Sequence, residues 1–156
     1  MEELKSTLLF DMTLDIPPGY QLPDGPLGTR VIAPIAGGTF DGPRIAGKVL
    51  PGGGDWLIIR SDGVMAVDVR VMLEPNEGGV IYASYGGRIA IPAEVMPQAL
   101  NPETVENVAP SEYYFRSTPL FETANSSPHA WLNGIVAVGV GRLLSGGVSY
   151  RVYAIE

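Results

Sequence analysis

The chain has 156 residues, 46% of them hydrophobic and 17% charged, with a formal net charge of −7 and an isoelectric point near 4.6. That length suits one domain able to bury roughly two-thirds of its unfolded surface. The scattered Lys and Arg argue against a nucleic-acid or anionic-membrane surface, and the absence of cysteine excludes disulfides, thiolate nucleophiles and sulfur-ligated metals.

The opening MEELKSTLLF is too acidic, and its apolar run too short, for a secretory signal, and no stretch approaches the length of a membrane span; a cytoplasmic protein is expected. From Leu4 to Ile16, Leu8, Phe10, Met12 and Leu14 alternate with polar residues as in a half-buried strand, which Pro17 and Pro18 stop. Residues 17–34 read as an irregular covering loop, broken by Pro23, Gly25, Pro26 and Gly28 and packed through Tyr20, Leu22 and Leu27. From Ile35 to Leu73, glycine pairs and triplets separate Ile, Val and Leu runs at the spacing of an antiparallel meander, with Asp62-Gly63 a strong hairpin turn. Pro51-Gly52-Gly53-Gly54 lacks the Lys-Ser/Thr of a phosphate loop and any following helix, so it reads as backbone that needs positive φ or close strand approach.

Val64 to Glu74 is the clearest strand, with Met65, Val67, Val69, Val71 and Leu73 on one wholly aliphatic face. Val80 to Tyr85 returns, with Tyr82 and Ser84 on one side and Ile81, Ala83 and Tyr85 on the other, and Gly86-Gly87 ends it. Residues 88–110 carry four prolines and read as a lid or crossover loop, with one helical turn over Pro102 to Asn107. The last strands run Tyr113 to Thr118, Ala130 to Leu144 and, after a Gly146-Gly147 turn, Val148 to Ile155. With 20 Gly and 14 Pro spacing short strands, an all-β, single-domain antiparallel barrel over residues 1–156 is predicted.

The blocks GTFDGPRIAGKVLPGGGDW, DGVMAVDVRVML, IYASYGG, YYFRSTPLFET and WLNGIVAVGVGR, in that order, resemble the DUF3237 (UPF0311) family over roughly residues 5–155. The resemblance implies a barrel similar to those of allene oxide cyclase and the lipocalins, and no general reaction. Positions similar to the family include Pro51-Gly52-Gly53, Asp55-Trp56, Asp68, Arg70, Tyr82, Tyr114-Phe115-Arg116, Pro119, Phe121-Glu122 and Trp131-Leu132-Asn133, which brings Trp56 among the candidate pocket residues. The chain departs from the family pattern around Ser127 to His129.

A barrel of this size is either filled by side chains or holds one small ligand. On the two strands Val64 to Glu74 and Ala130 to Arg142, the aliphatic face is either a packed core or an outer face under loops and a partner subunit, in which case the mixed face lines a pocket. In such a pocket Arg116 would anchor a carboxylate or enolate oxygen; otherwise it pairs with Glu122. Tyr82 and Tyr114 would donate to an oxyanion, or pack with their hydroxyls at the rim. Asp68 and Arg70 are a buried acid and its charge partner, or a surface pair. His129 is the residue whose ordinary pKa suits a proton shuttle, or a loop histidine. Trp131 and Asn133 supply a flat wall and an amide. The expected catalytic set is Arg116, Tyr82, His129, Asp68 and Glu122; the expected substrate-binding set is Trp131, Asn133, Arg70, Tyr114 and Trp56.

That site is expected at one barrel end, between the Tyr113 to Thr118 and His129 to Asn133 strands and under the 88–110 loop. Without cysteine, with a solitary histidine and without a nucleotide-binding helix start, neither cofactor nor metal is expected. Two functions fit. One is a cofactor-independent isomerase, cyclase, pericyclase or lyase acting on a small hydrophobic metabolite; the other is a lipocalin-like carrier of such a molecule. Uninterrupted aliphatic faces further predict a homodimer.

Overall fold

The computed structural model describes residues 2–156. Its strands are β1 (Ser6–Asp15), β2 (Tyr20–Gly25), β3 (Gly28–Ile35), β4 (Gly37–Asp41), β5 (Ala46–Ile59), β6 (Met65–Pro75), β7 (Ile81–Ala90), β8 (Tyr114–Ser117), β9 (Leu120–Glu122), β10 (Val136–Leu144) and β11 (Gly147–Ile155). The one α-helical turn, α1 (Met96–Ala99), lies between β7 and β8. Strands β5-β4-β1-β11-β10-β8-β7-β6 are neighbours in that order, and β6 pairs back onto β5, closing an eight-stranded antiparallel barrel.

Strand β5 is long enough to pair twice. Its first part, Ala46 to Val49, lies against β4, and its second, Gly53 to Ile59, against β3. Between the two, Leu50 to Gly54 covers four steps while its partner segment on β6, Met72 to Arg70, covers two. Pro51-Gly52-Gly53 is therefore a β-bulge inside a strand, which bends the strand and re-aims the residues beyond it. Gly52 has φ of 106°, a backbone region that side chains disfavour.

Residues 17–34 do not form a loop: they hold β2 and β3, an antiparallel ribbon that extends the sheet past the closed barrel. Among the described residues β2 has β3 as its only strand neighbour, so Pro23 withholds no hydrogen bond that an inner strand would need. Gly86-Gly87 does not end β7 either, since Gly87 to Ala90 pair with Ser117 to Tyr114 of β8. Ala130 to Gly134 is a 3-10 turn rather than the start of a strand. The 88–110 region is β7's last turn of ladder followed by α1 and a 3-10 turn over Val105–Asn107; Ala99, Val105 and Val108 are buried beneath it.

The aliphatic face of β6 points inward: Val67, Val69, Val71 and Leu73 are buried, together with Phe10, Met12 and Leu14 of β1 and Ile81, Ala83 and Tyr85 of β7. On β10 the arrangement reverses. Val136, Val138 and Val140 stand on the outer wall, and Ala137, Gly139 and Gly141 face the interior. The reason is the neighbour: a Cβ at Gly141 would run into the Phe115 ring, so the barrel trades a side chain on β10 for an aromatic on β8. The aliphatic face of β6 thus offers nothing to a second subunit.

Among the described residues, no helix is long and apolar enough to cross a membrane, and no group of three His, Cys, Asp or Glu is placed to hold a metal ion.

Candidate functional site

One end of the barrel is filled and the other is hollow. The hollow end is a cavity of about 420 Å³. Its wall comes from Leu14 of β1 and Ile16 just after it, Ile35 of β3, Leu57 of β5, Met65 and Val69 of β6 and Ile89 of β7, with Phe115, Leu143, Val148 and Tyr150. Pro17, Pro18 and Gly146-Gly147 rim the mouth, and Pro102 reaches it from the 88–110 region. The floor is an aromatic layer in which the Tyr150 ring meets Tyr85 at 5.4 Å and Phe115 at 5.2 Å, both edge to face.

The one ionisable carboxyl in this lining is Asp55, 7% exposed. Alternation along β5 past the bulge turns Asp55 and Leu57 inward and Trp56 outward. Asp55 Oδ1 accepts a hydrogen bond from the Asp68 backbone N–H at 2.9 Å, and Oδ2 takes none among the described residues. Burial in apolar surroundings pushes this carboxyl up from its ordinary 3.8 to about 6; the Asp68 hydrogen bond opposes that and the Asp68 charge adds to it. In the same layer, Asp55 pairs across the ladder with Val69, and Val69 with Tyr85. The Tyr85 hydroxyl is buried and has no hydrogen-bond partner among the described residues. Burial raises both phenols, Tyr85 well above the ordinary tyrosine value and Tyr150 also upward, so both stay protonated donors near neutral pH.

None of the ten residues expected from sequence lines this cavity; most lie in small groups on the outer wall, and His129 is buried away from it. Asp68 and Arg70 form an exposed pair at 3.7 Å, with the Arg70 guanidinium 5.8 Å from the Trp56 ring. Arg116 stands beside Tyr114 on the outer wall, its guanidinium 5.1 Å from that ring, and bonds the Phe115 carbonyl rather than Glu122. Tyr82 and Glu122 are cross-strand neighbours that share a shallow groove with Asn133. Asn133 is spent on structure: its Oδ1 accepts the Thr123 N–H at 2.8 Å and its Nδ2 donates to the Thr123 carbonyl at 3.0 Å. Trp131, half-buried, lies under Arg44 at 3.8 Å. His129, at the start of the 3-10 turn, is buried with Nε2 3.4 Å from Glu77 Oε2.

The physical reason is that the mixed strand faces are the outer ones, where charge is solvated, and the aliphatic faces enclose the cavity. Asp55, Tyr85 and Tyr150 were missed on that account. For the two tyrosines the signal was present: Tyr85 shares its face with Ile81 and Ala83, and Tyr150 shares one with Val148 and Val152, so each is a hydroxyl set in an aliphatic row.

Residues 4–155 match the family described as "Protein of unknown function (DUF3237)". A UPF0311 protein of Clostridium acetobutylicum is 33% identical over 133 residues, covering 85% of this chain and 82% of that protein. The crystal structure of a conserved protein of unknown function from Rhodopseudomonas palustris superposes with a TM-score of 0.89 at 29% identity, covering 100% of both chains. An enzyme from Penicillium herquei shares the fold, with a TM-score of 0.72 at 21% identity over 100% of this chain and 97% of that one.

Proposed function

Because the chain belongs to the DUF3237 family, whose description assigns no reaction, we propose a function from its own cavity: a cofactor-independent enzyme that relocates a proton on a small, neutral, apolar metabolite, as an isomerase, cyclase or lyase does. The observation that carries this reading is the Asp55 carboxyl, buried at the wall of an apolar cavity and tuned to about 6. A base with that affinity is mostly ionised at neutral pH, yet holds a proton far better than an ordinary carboxylate.

In the step it supports, Asp55 takes a proton from an acidic C–H or O–H of the bound molecule. The electron pair left behind moves into the conjugated system, onto a carbonyl oxygen where one is present. The Tyr150 hydroxyl donates a hydrogen bond to that oxygen and stabilises its charge, with the Tyr85 ring packed behind it. Return of the proton from Asp55 to a different atom gives an isomer, with no electrons gained or lost. The apolar remainder of the lining orients the substrate and excludes water.

The carrier reading is favoured by a different observation: apart from Asp55 and Tyr150 the lining offers almost no side chain able to hydrogen-bond. One experiment separates them. The protein is incubated in D2O with a panel of small cyclic ketones and phenols, and NMR follows both binding and deuterium entry into carbon positions. Deuterium entry that falls at least 100-fold in Asp55→Asn, with binding retained, supports the enzyme. Binding without any Asp55-dependent exchange supports the carrier.

A further inference from the structure

The outer wall carries a second feature that the cavity does not explain. Arg88 of β7 and Arg116 of β8 are direct cross-strand partners, flanked by the inward pair Ile89 and Phe115. Like charges placed directly opposite on a ladder destabilise it. Neighbouring carboxylates ordinarily relieve such a clash, and Arg70 and Arg151 each have one here, at 3.7 and 2.8 Å. Among the described residues neither Arg88 nor Arg116 does. Each spends one N–H on an adjacent carbonyl, Arg88 on Gly87 at 2.8 Å and Arg116 on Phe115 at 2.9 Å, leaving the other donors of both forks without protein partners.

The two guanidiniums border a depression of about 630 Å³. It exists because Gly86, on the same outer face of β7 as Arg88, puts no side chain on the wall there, and Val138 of β10 and the Tyr114 ring, 52% exposed, give it apolar sides. Two forks without carboxylate partners over a backbone floor, beside a flat ring, are matched to a planar oxyanion with an apolar body. The barrel cavity is unsuited to the same molecule, since no Arg or Lys lines it and Asp55 repels negative charge.

From this juxtaposition we infer that the outer face of β7 and β8 is a binding site for a small, flat organic carboxylate, clamped by Arg88 and Arg116 and lying against Tyr114 and Val138. The inference is independent of the chemistry assigned to the cavity.

The test uses sodium benzoate and inorganic phosphate as probes at constant ionic strength, read by melting temperature and titration calorimetry. Benzoate should raise the melting temperature of the wild type and of Arg70→Gln saturably, and bind Arg88→Gln and Arg116→Gln at least tenfold more weakly. Without anion, the latter two variants should melt at or above wild type, because the opposed charges are gone. Benzoate acting equally on both arginine variants, having no saturable effect, or being matched by phosphate overturns the site. So does a response lost in Asp55→Asn but kept in the arginine variants, which would put benzoate inside the barrel.

Discussion

The two ends of the barrel are built by the same strands and filled by opposite means. At one, Phe10 packs edge to face on Phe40 at 5.5 Å and on Phe121 at 6.1 Å, over Leu73, Ile81 and Leu132, all buried. At the other, Leu14, Leu57, Leu143 and Val148 line a void, and a carboxyl stands among them. The aromatic layer of Tyr85, Phe115 and Tyr150 divides the two. Large rings at the closed end supply the burial that holds the barrel shut, and the open end is thereby free to keep a void and a buried acid with a single hydrogen bond, both of which cost stability.

Removing a ring from the closed end is the severest test of this division. Phe10→Ala should lower stability by about 3–5 kcal/mol in urea unfolding, since a 1%-exposed ring leaves a cavity behind. A loss below about 1 kcal/mol would mean that the closed end is not the stabilising half.

Asp55→Asn should do the reverse at the open end. The folded chain holds the Asp55 proton more tightly than the unfolded chain, with 3.8 raised to about 6, so its stabilising contribution is complete below 3.8 and is lost as pH rises through about 6. The loss amounts to at most about 3 kcal/mol. Asparagine is neutral throughout and can still accept the Asp68 N–H bond, so the variant should be more stable than wild type at pH 8 and no more stable at pH 4. Urea midpoints at the two pH values measure this; a variant destabilised at pH 8 would show that the charge is held by partners rather than merely buried.

Smaller effects sharpen the contrast. Leu143→Ala, at a half-buried position already facing the void, should cost about 1 kcal/mol, well under Phe10→Ala, and should improve binding of bulkier cavity ligands. Asn133→Ala should also cost about 1 kcal/mol, through its two Thr123 bonds, and leave cavity binding unchanged. If it abolished binding with no loss of stability, the outer groove by Tyr82 and Glu122 would be the site instead.

The barrel was legible because turn glycines and alternating aliphatics mark most of its strands; the period-two row of five apolar residues on β6 marks a strand whichever way it faces, and the structure turns it inward. β2 was not, because proline reads as a breaker unless a strand is known to lie at a sheet edge, which depends on distant pairing. His129, Trp131 and Asn133 were placed on a strand because their alternation continues into β10, whereas a 3-10 turn carries them. The site was the least legible part. Charged and aromatic residues on the mixed faces drew attention to the outer wall, and Asp55 sits behind three glycines that carry no side chains by which its facing could be counted. Its orientation is fixed beyond the bulge, whatever the bulge's length, by its pairing with the inward Val69.

That length has a consequence for how this protein can change. A strand can absorb one extra residue without reversing its faces, as β1 does between Leu8 and Phe10, where Leu9 and Phe10 are both buried. Deleting Gly52 alone should therefore leave a one-residue bulge with Asp55 still held inward by its pairing with Val69, and deleting Gly52 and Gly53 together should leave a regular ladder and a flatter, tighter wall. Both shortened proteins should bind small ligands with the pH dependence of the wild type, the doubly shortened one accepting only the thinner molecules. Changes of length in this segment should reshape the cavity and leave its acid in place.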